Sequence, residues 1–398
     1  MHLTVAQFVG LLAVVLATAK FLGWIAGRIG QPAVLGELVA GVVLGASVLG
    51  LIDPHGEILH VLAELGVLLL LFEIGLETDL AKLLRVGVSS TLVAAVGVVV
   101  PFALGYGATH LMGESNLECM FAGATLTATS VGITARILSD LGRLHDPESQ
   151  IVLGAAVIDD VVGLVILAVV QGLAAGHEMT APGVALIVAK AFGFLAVALL
   201  VGRFAMPPTM NFLAKVPVLG SQLAVGLIIA FGMAWLADQA GSALIIGSFV
   251  AGLLLRETSA RHAIEKGAHS LGMFFVPIFF VSVGAAVDVR VFDPTNPANH
   301  AALLLGGLLI MAAVIGKFAA GYAPIRFRGN KAVIGVGMIP RGEVGLIFAK
   351  LGLDTHVFDE KTFAAVTLMV MVTTFLAPPL LRLLLPPRPK SPDPGSGT

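Results

Sequence analysis

The chain of 398 residues is 57% apolar and only 12% charged, with a net charge of −2, and its mean hydropathy is +0.99. Soluble domains carry about 25% charged residues, so this chain has too little polar surface for water and fits lipid as its solvent. The near-neutral charge leaves no basic patch for nucleic acid, and a single cysteine, Cys119, excludes an internal disulfide.

A helix needs about 20 mostly apolar residues to span a bilayer. That length fits thirteen stretches, near 4–26, 32–52, 58–77, 86–109, 117–135, 150–174, 183–202, 221–237, 241–255, 267–284, 300–323, 332–349 and 362–385. The first is preceded by Met1 to Gln7, which hold no Lys or Arg. A secretory leader needs positive charge there, so the run is expected to be a retained span with its N-terminus outside. The third span carries Glu73 and Glu77 one helical turn apart near its inner end, where they could border a cytoplasmic funnel. The fifth holds a polar run around Thr127, Thr129 and Ser130, flanked by Gly123 and Gly132. The sixth holds Asp159 and Asp160 well inside an apolar run. The eighth and ninth are separated by a turn signal at Asp238 to Gly241. The eleventh contains Lys317 as its only Lys or Arg, and the twelfth contains Pro340, Arg341 and Glu343 among glycines. The segment 386–398, rich in Pro, Gly and Ser, is expected to be disordered.

The charges of the loops test this count. Positive residues gather on cytoplasmic loops. With the N-terminus outside and the C-terminus cytoplasmic, the expected inner loops hold most of the 23 Lys and Arg, and the outer ones hold only Arg290, Lys350 and Lys361.

The chain also repeats itself weakly. The segment 34–44 aligns with 245–255 at an offset of 211, placing Gly36 on Gly247 and Gly41 on Gly252. The segment 75–80 aligns with 284–289 at an offset of 209, placing Gly75 on Gly284. The partners lie seven spans apart, so they cross the membrane in opposite senses. Inverted repeats of this kind mark secondary transporters. At the offset of 211, Thr129 falls on Pro340, so the two interrupted spans occupy equivalent positions.

An ionisable residue at mid-membrane costs roughly 2.5–3.5 kcal/mol and persists when it pairs, lines water or acts. Adjacent acids on a helix point about 100° apart, so one can face a partner while the other faces a cavity. A carboxylate so placed can hold a proton or a hard cation, and competition for it is the simplest chemistry of exchange. Lys317 needs a partner, and an Asp of the sixth span is the natural one. Pro340 and its glycines weaken the twelfth helix. Broken helices near the midplane offer carbonyls to cations and helix ends to charges. Arg341 and Glu343 are suited to neutralise those ends or to pair with each other.

Across 36–41, 63–67, 75–77, 128–136, 153–160 and 340–346 the sequence resembles the bacterial monovalent cation:proton antiporter-2 family, most closely its NapA-type Na⁺/H⁺ antiporters. The resemblance runs through essentially all the spans. It implies an all-α polytopic membrane protein of about 13 transmembrane helices, with the inverted-repeat, NhaA-like fold and two crossed broken helices. It implies a dimerisation domain in two parts, 1–82 and 216–290, a core ion-transport domain in two parts, 83–180 and 291–385, a linker helix in 181–215 and a tail at 386–398. It also implies a homodimer in the bacterial inner membrane, surrounded by lipid, with no cofactor and no enzymatic activity. Its cargo would be Na⁺, or Li⁺ or K⁺, against protons. By the same resemblance Asp160 binds the ion, Asp159 pairs with Lys317, and the region of Thr127, Thr129 and Ser130 supplies further oxygens. The trio of Asp159, Asp160 and Lys317 suggests an electrogenic, elevator-like cycle. Glu73 departs from the commoner apolar residue of its motif. The alternative within the same broad family is a K⁺/H⁺ antiporter or a K⁺ efflux protein. K⁺ efflux proteins usually carry Gln where this chain has Asp159.

Overall fold

The computed structural model describes residues 4–53, 56–78, 81, 85–174, 181–213, 222–286 and 289–385. Every ordered element among them is helical. In chain order the α-helices are α1 (Val5–Arg28), α2 (Ala33–Leu44), α3 (Glu57–Glu77), α4 (Gly87–Leu111), α5 (Asn116–Thr125), α6 (Val131–Asp140), α7 (Pro147–Ala174) and α8 (Ala181–Leu213). Then follow α9 (Gln222–Gln239), α10 (Leu244–Arg256), α11 (Arg261–Ala285), α12 (His300–Ala320), α13 (Lys331–Gly337), α14 (Gly342–Asp354) and α15 (Glu360–Leu384). Among the described residues, eight helices are long and apolar enough to cross a bilayer, and α2, α10 and α14 are shorter apolar helices.

Each of the expected segments is helical, with two interruptions where the polar runs predicted them. The fifth is split into α5 and α6, and the twelfth into α13 and α14. The segment at 32–52 departs from expectation, because its helix stops at Leu44. The chain folds back at Gly45, whose added Cβ would meet Ala285, and the N–H groups of Leu51 and Ile52 both return to the Leu44 carbonyl at 3.0 Å. Gly50, at φ +63°, completes the turn in a conformation that disfavours other residues. The turn between α9 and α10 falls at Gly241, with φ +75°. The expected tail at 386–398 lies outside the described residues, as do Asp288 of the second repeat block and the inner-loop residues Lys82 and Lys215.

By packing, the helices form two bodies. In one, α2 and α3 lie against α10 and α11, with α1 and α9 outside them. In the other, α4 and α12 pack together and carry α5, α7, α13, α14 and α15 around them. The long α8 touches α7 of one body and α10 of the other. Apolar side chains such as Phe21, Trp24, Phe204 and Trp235 point outward, as lipid contact requires.

The first body shows the repeat in its contacts. In lipid, helices associate through close packing that small residues permit. Gly41 on α2 packs on the backbone of Val281 and Gly284 on α11. Gly252 on α10 packs on the backbone of Phe72 and Gly75 on α3. The repeat offsets turn the first contact into the second: Gly41 becomes Gly252, Gly284 becomes Gly75, and Val281 becomes Phe72. Likewise Gly36 packs on Leu22 and Gly247 on Met233, again one repeat apart. This exchange is what a pseudo-two-fold axis between opposed repeats produces.

The two bodies meet along a seam between α6 and α15 on one side and α2 and α3 on the other. Midway the seam is apolar. The position of a Cβ on Gly132 would lie 3.5 Å from Val67, 3.7 Å from Leu70 and 3.7 Å from Phe279.

Candidate ion-binding site

Breaking two helices inside a membrane leaves backbone groups that need partners. The two breaks supply many of them to each other. The Ser130 N–H donates to the Pro340 carbonyl at 2.8 Å. The Thr134 hydroxyl, on the first turn of α6, donates to the Gly337 carbonyl at the end of α13 at 2.7 Å. At the start of α14 the Gly342 N–H is met by the Thr374 hydroxyl of α15 at 3.2 Å. Pro340 lacks an N–H and interrupts the helix. Gly342 turns the chain with φ +49°, and a Cβ there would strike the Ser130 side chain.

The chain ends that remain are carbonyls past α5, where the helix dipole is negative. Two cations reach them. Lys317, fully buried on α12, donates to the Thr127 carbonyl at 2.7 Å. Arg341, also fully buried, donates to the Ala128 carbonyl. Space for the Lys317 ammonium comes from Gly97 on α4, whose added Cβ would stand 3.3 Å from Nζ. The Thr127 hydroxyl donates to Ala124 within its own segment at 2.7 Å.

The carboxylates lie beside this crossing. Asp159 on α7 is 1% exposed and accepts at one oxygen, Oδ2, from Lys317 at 2.6 Å and from the Thr129 hydroxyl at 2.8 Å. A buried charge needs both a counter-charge and hydrogen bonds, and Asp159 has them. Its other oxygen, Oδ1, is buried without a hydrogen-bond partner among the described residues. Asp160, the next residue, is 8% exposed and near enough to Lys317 to act on its charge. The step of about 100° between neighbours points the two carboxylates in different directions from one helix.

Of the residues that the sequence singled out, the structure brings together Thr127, Thr129, Ser130, Asp159, Asp160, Lys317 and Arg341. It places Glu73 and Glu77 elsewhere. They line a cleft of about 470 Å³ at one end of the seam, with Arg136, Asp140, His269 and Arg382. His269 Nδ1 lies 3.4 Å from Glu73 Oε1. The Glu343 side chain lies outside the described residues. A cavity of about 510 Å³ divides α3 and α11 from α14 and α15, lined by Glu64, Ser282, Lys350 and Thr367. Thr134, Thr374 and Gly97 were not singled out by sequence. Thr134 could have been, because it stands one turn beyond the polar break.

A polytopic helical protein with opposed repeats, two broken helices that cross, and carboxylates and a lysine buried beside the crossing has the build of a secondary ion transporter. Residues 14–385 match the family described as sodium/hydrogen exchanger, transmembrane. The chain belongs to that family. It is 41% identical to the high-affinity Na⁺/H⁺ antiporter NhaS3 of a Synechocystis species, over 93% of this chain and 88% of that one. It is 35% identical to the Na⁺/H⁺-K⁺ antiporter GerN of Bacillus cereus, over 94% and 96%. Its fold matches the solved sodium proton antiporter MjNhaP1 of Methanocaldococcus jannaschii with a TM-score of 0.66, at 17% identity and 95% coverage of both chains.

Proposed function

We propose that this protein exchanges Na⁺, or Li⁺ or K⁺, for protons across a bacterial plasma membrane, with Asp160 as the residue that holds either cargo. The observation that carries this reading is that Asp159 is paired with Lys317 and Thr129 beside the crossed helix breaks, and that a second buried carboxylate, Asp160, stands next to it within reach of the same ammonium. Two carboxylates beside one ammonium can trade a proton for a hard cation, whose preferred ligands are oxygens. Thr129, Ser130 and Thr127 supply oxygens beside it. Arg341 and Glu343 balance the charge of the broken ends. Glu73 and Glu77 place two carboxyl groups in the cleft on one face, where they would border the path of the cation.

In this reading the body bearing Asp160 moves as a unit against the other, along the apolar seam at Gly132, and exposes the site to each face in turn. The static body, α1 to α3 with α9 to α11, holds the contact between two copies of the chain. The cycle is electrogenic, with protons leaving both Asp160 and Lys317 for each cation. Of the finer families, the NapA type within the cation:proton antiporter-2 group fits best, through the adjacent acids and Lys317. The chain crosses the inner membrane thirteen times, N-terminus outside and C-terminus cytoplasmic. It needs no cofactor, and no covalent chemistry is assigned to it.

A second reading, K⁺/H⁺ exchange, is favoured by the name of GerN, which includes K⁺. One experiment separates them. The pure protein in proteoliposomes is given a pH gradient, a pH-sensitive dye and then Na⁺, Li⁺ or K⁺. Dissipation by Na⁺ or Li⁺ that is absent in Asp160→Asn supports the first reading. Dissipation by K⁺ alone supports the second, and no dissipation by any ion at pH 6–9 overturns both.

A further inference from the structure

The seam between the two bodies is apolar in the middle but charged at one end. Asp140 and Arg136 stand one turn apart on α6, with Arg136 Nε 3.0 Å from Asp140 Oδ1. The Asp140 carboxylate also accepts hydrogen bonds from the backbone N–H groups of Ala33 and Val34. These N–H groups open α2, which belongs to the other body. Their need is set by the sequence, because Pro32 at the N-cap has no side-chain acceptor to offer. A helix start also favours a negative charge. Arg136 lies in the field of Glu37 on α2 and Glu73 on α3. Glu37 is 2% exposed, and its Oε2 has no hydrogen-bond partner among the described residues. Beside this cluster Arg382, from α15, packs onto Gly30 in the turn before α2, at φ +76°, where no Cβ would fit.

At this end, therefore, α6 and α15 grip both sides of the α1–α2 turn with charge. At the other end the cavity between α3, α11, α14 and α15 is spanned by no hydrogen bond or ion pair among the described residues, though Lys350 and Glu64 both line it. The chemical asymmetry is one-sided: a cap and an ion pair at one face, an open crevice at the other.

We infer that Asp140 and Arg136 form a latch that holds the carrying body to the start of α2, and that this latch sets the resting side of the ion site. It opens once in each cycle, when the carrying body slides. These are positioning residues that touch no cargo. Neither they nor Pro32 lie at the helix crossing. The inference rests on the two-body movement proposed above.

The test reads the crevice at the far end. Ser282 lines it and is half-buried, and the chain's one native cysteine, Cys119, is fully buried. A Ser282→Cys protein in liposomes is labelled with a membrane-impermeant maleimide, with and without Na⁺, in the parent and after Asp140→Ala, Asp140→Asn or Arg136→Gln. Opening the latch frees the carrying body to close this crevice. Labelling in Asp140→Ala is expected to fall about fivefold or more, the factor that a lost cap amounts to in a two-state equilibrium. Asp140→Asn keeps an acceptor for the α2 N–H groups and is expected to recover part of the rate, and Arg136→Gln to fall between. Folding is checked by monodisperse elution, and if Asp140→Ala fails to fold, the other two variants carry the test. Parental labelling rates in folded variants, with a response to Na⁺ retained, would overturn the latch alone. Labelling that never changes, with Na⁺ or with any variant, would overturn the two-body movement itself.

Discussion

The two bodies solve the same problem, packing helices without help from water, in opposite ways. The body of α1 to α3 with α9 to α11 is built from backbone touching backbone. Its glycines, Gly36, Gly41, Gly75, Gly247, Gly252 and Gly284, bring helices so close that a Cβ would strike a neighbouring main chain. The body around α4 and α12 gives up two helices at their centres and fills the gap with Lys317, Arg341, Asp159 and several hydroxyls. Packing by shape has no alternative arrangement, whereas charges and hydrogen bonds can be exchanged among partners. In the second body the buried charges gather where the two helices break.

Substitutions can break that division. The largest effect is expected at Asp160→Asn: cation-driven proton movement lost by at least about 100-fold, the scale on which a group essential to the cycle acts. Next comes Lys317→Met, which leaves Asp159 charged and buried. It is expected to destabilise by about 3–5 kcal/mol, the cost of breaking a buried pair, read as a lower melting temperature in detergent. Adding Asp159→Asn to Lys317→Met should restore much of that loss. If the double variant is no more stable than the single, the pair is not what holds α7 to α12.

A third substitution acts on the framework. Gly252→Ala places a methyl on the Phe72 carbonyl and should cost about 1–3 kcal/mol by overpacking, with Na⁺ affinity unchanged. Gly284→Ala, one repeat away in the symmetric contact, should cost a similar amount. A large difference between the two would argue that the symmetry of these contacts is only approximate in energy. The smallest effect is expected at Thr134→Val. It removes the hydrogen bond to the Gly337 carbonyl and is expected to cost about 1 kcal/mol, seen in thermal melts.

Much of this was legible in the sequence, for physical reasons. Asp159, Asp160 and Lys317 stand out because lipid makes each charge costly, so each needs a reason to be there. The helix breaks were visible in Pro340 and in the hydroxyl run at Thr127 to Ser130. The repeat could be read from Gly41, Gly75, Gly252 and Gly284, since backbone contact tolerates no other residue. The site's supports were harder to see. Gly97 makes room for the ammonium from α4, which no local pattern announces. Thr374 caps α14 from the next helix. Asp140 caps α2 from more than a hundred residues away, and its sequence neighbourhood shows only an i, i+4 pair with Arg136. That spacing reads as an ordinary surface pair. The early stop of α2 at Leu44 was hidden because the residues beyond it stay apolar, and only the contact of Gly45 with Ala285 explains it.

In the proposed cycle one carboxylate, Asp160, holds either a proton or a cation. Isothermal titration of Na⁺ into the purified protein, repeated in buffers of different ionisation enthalpy, measures binding and proton release together. Na⁺ is expected to bind with release of protons, and both the heat and the release are expected to vanish in Asp160→Asn and survive in Gly252→Ala. Na⁺ binding without proton release, or binding that persists in Asp160→Asn, would contradict it.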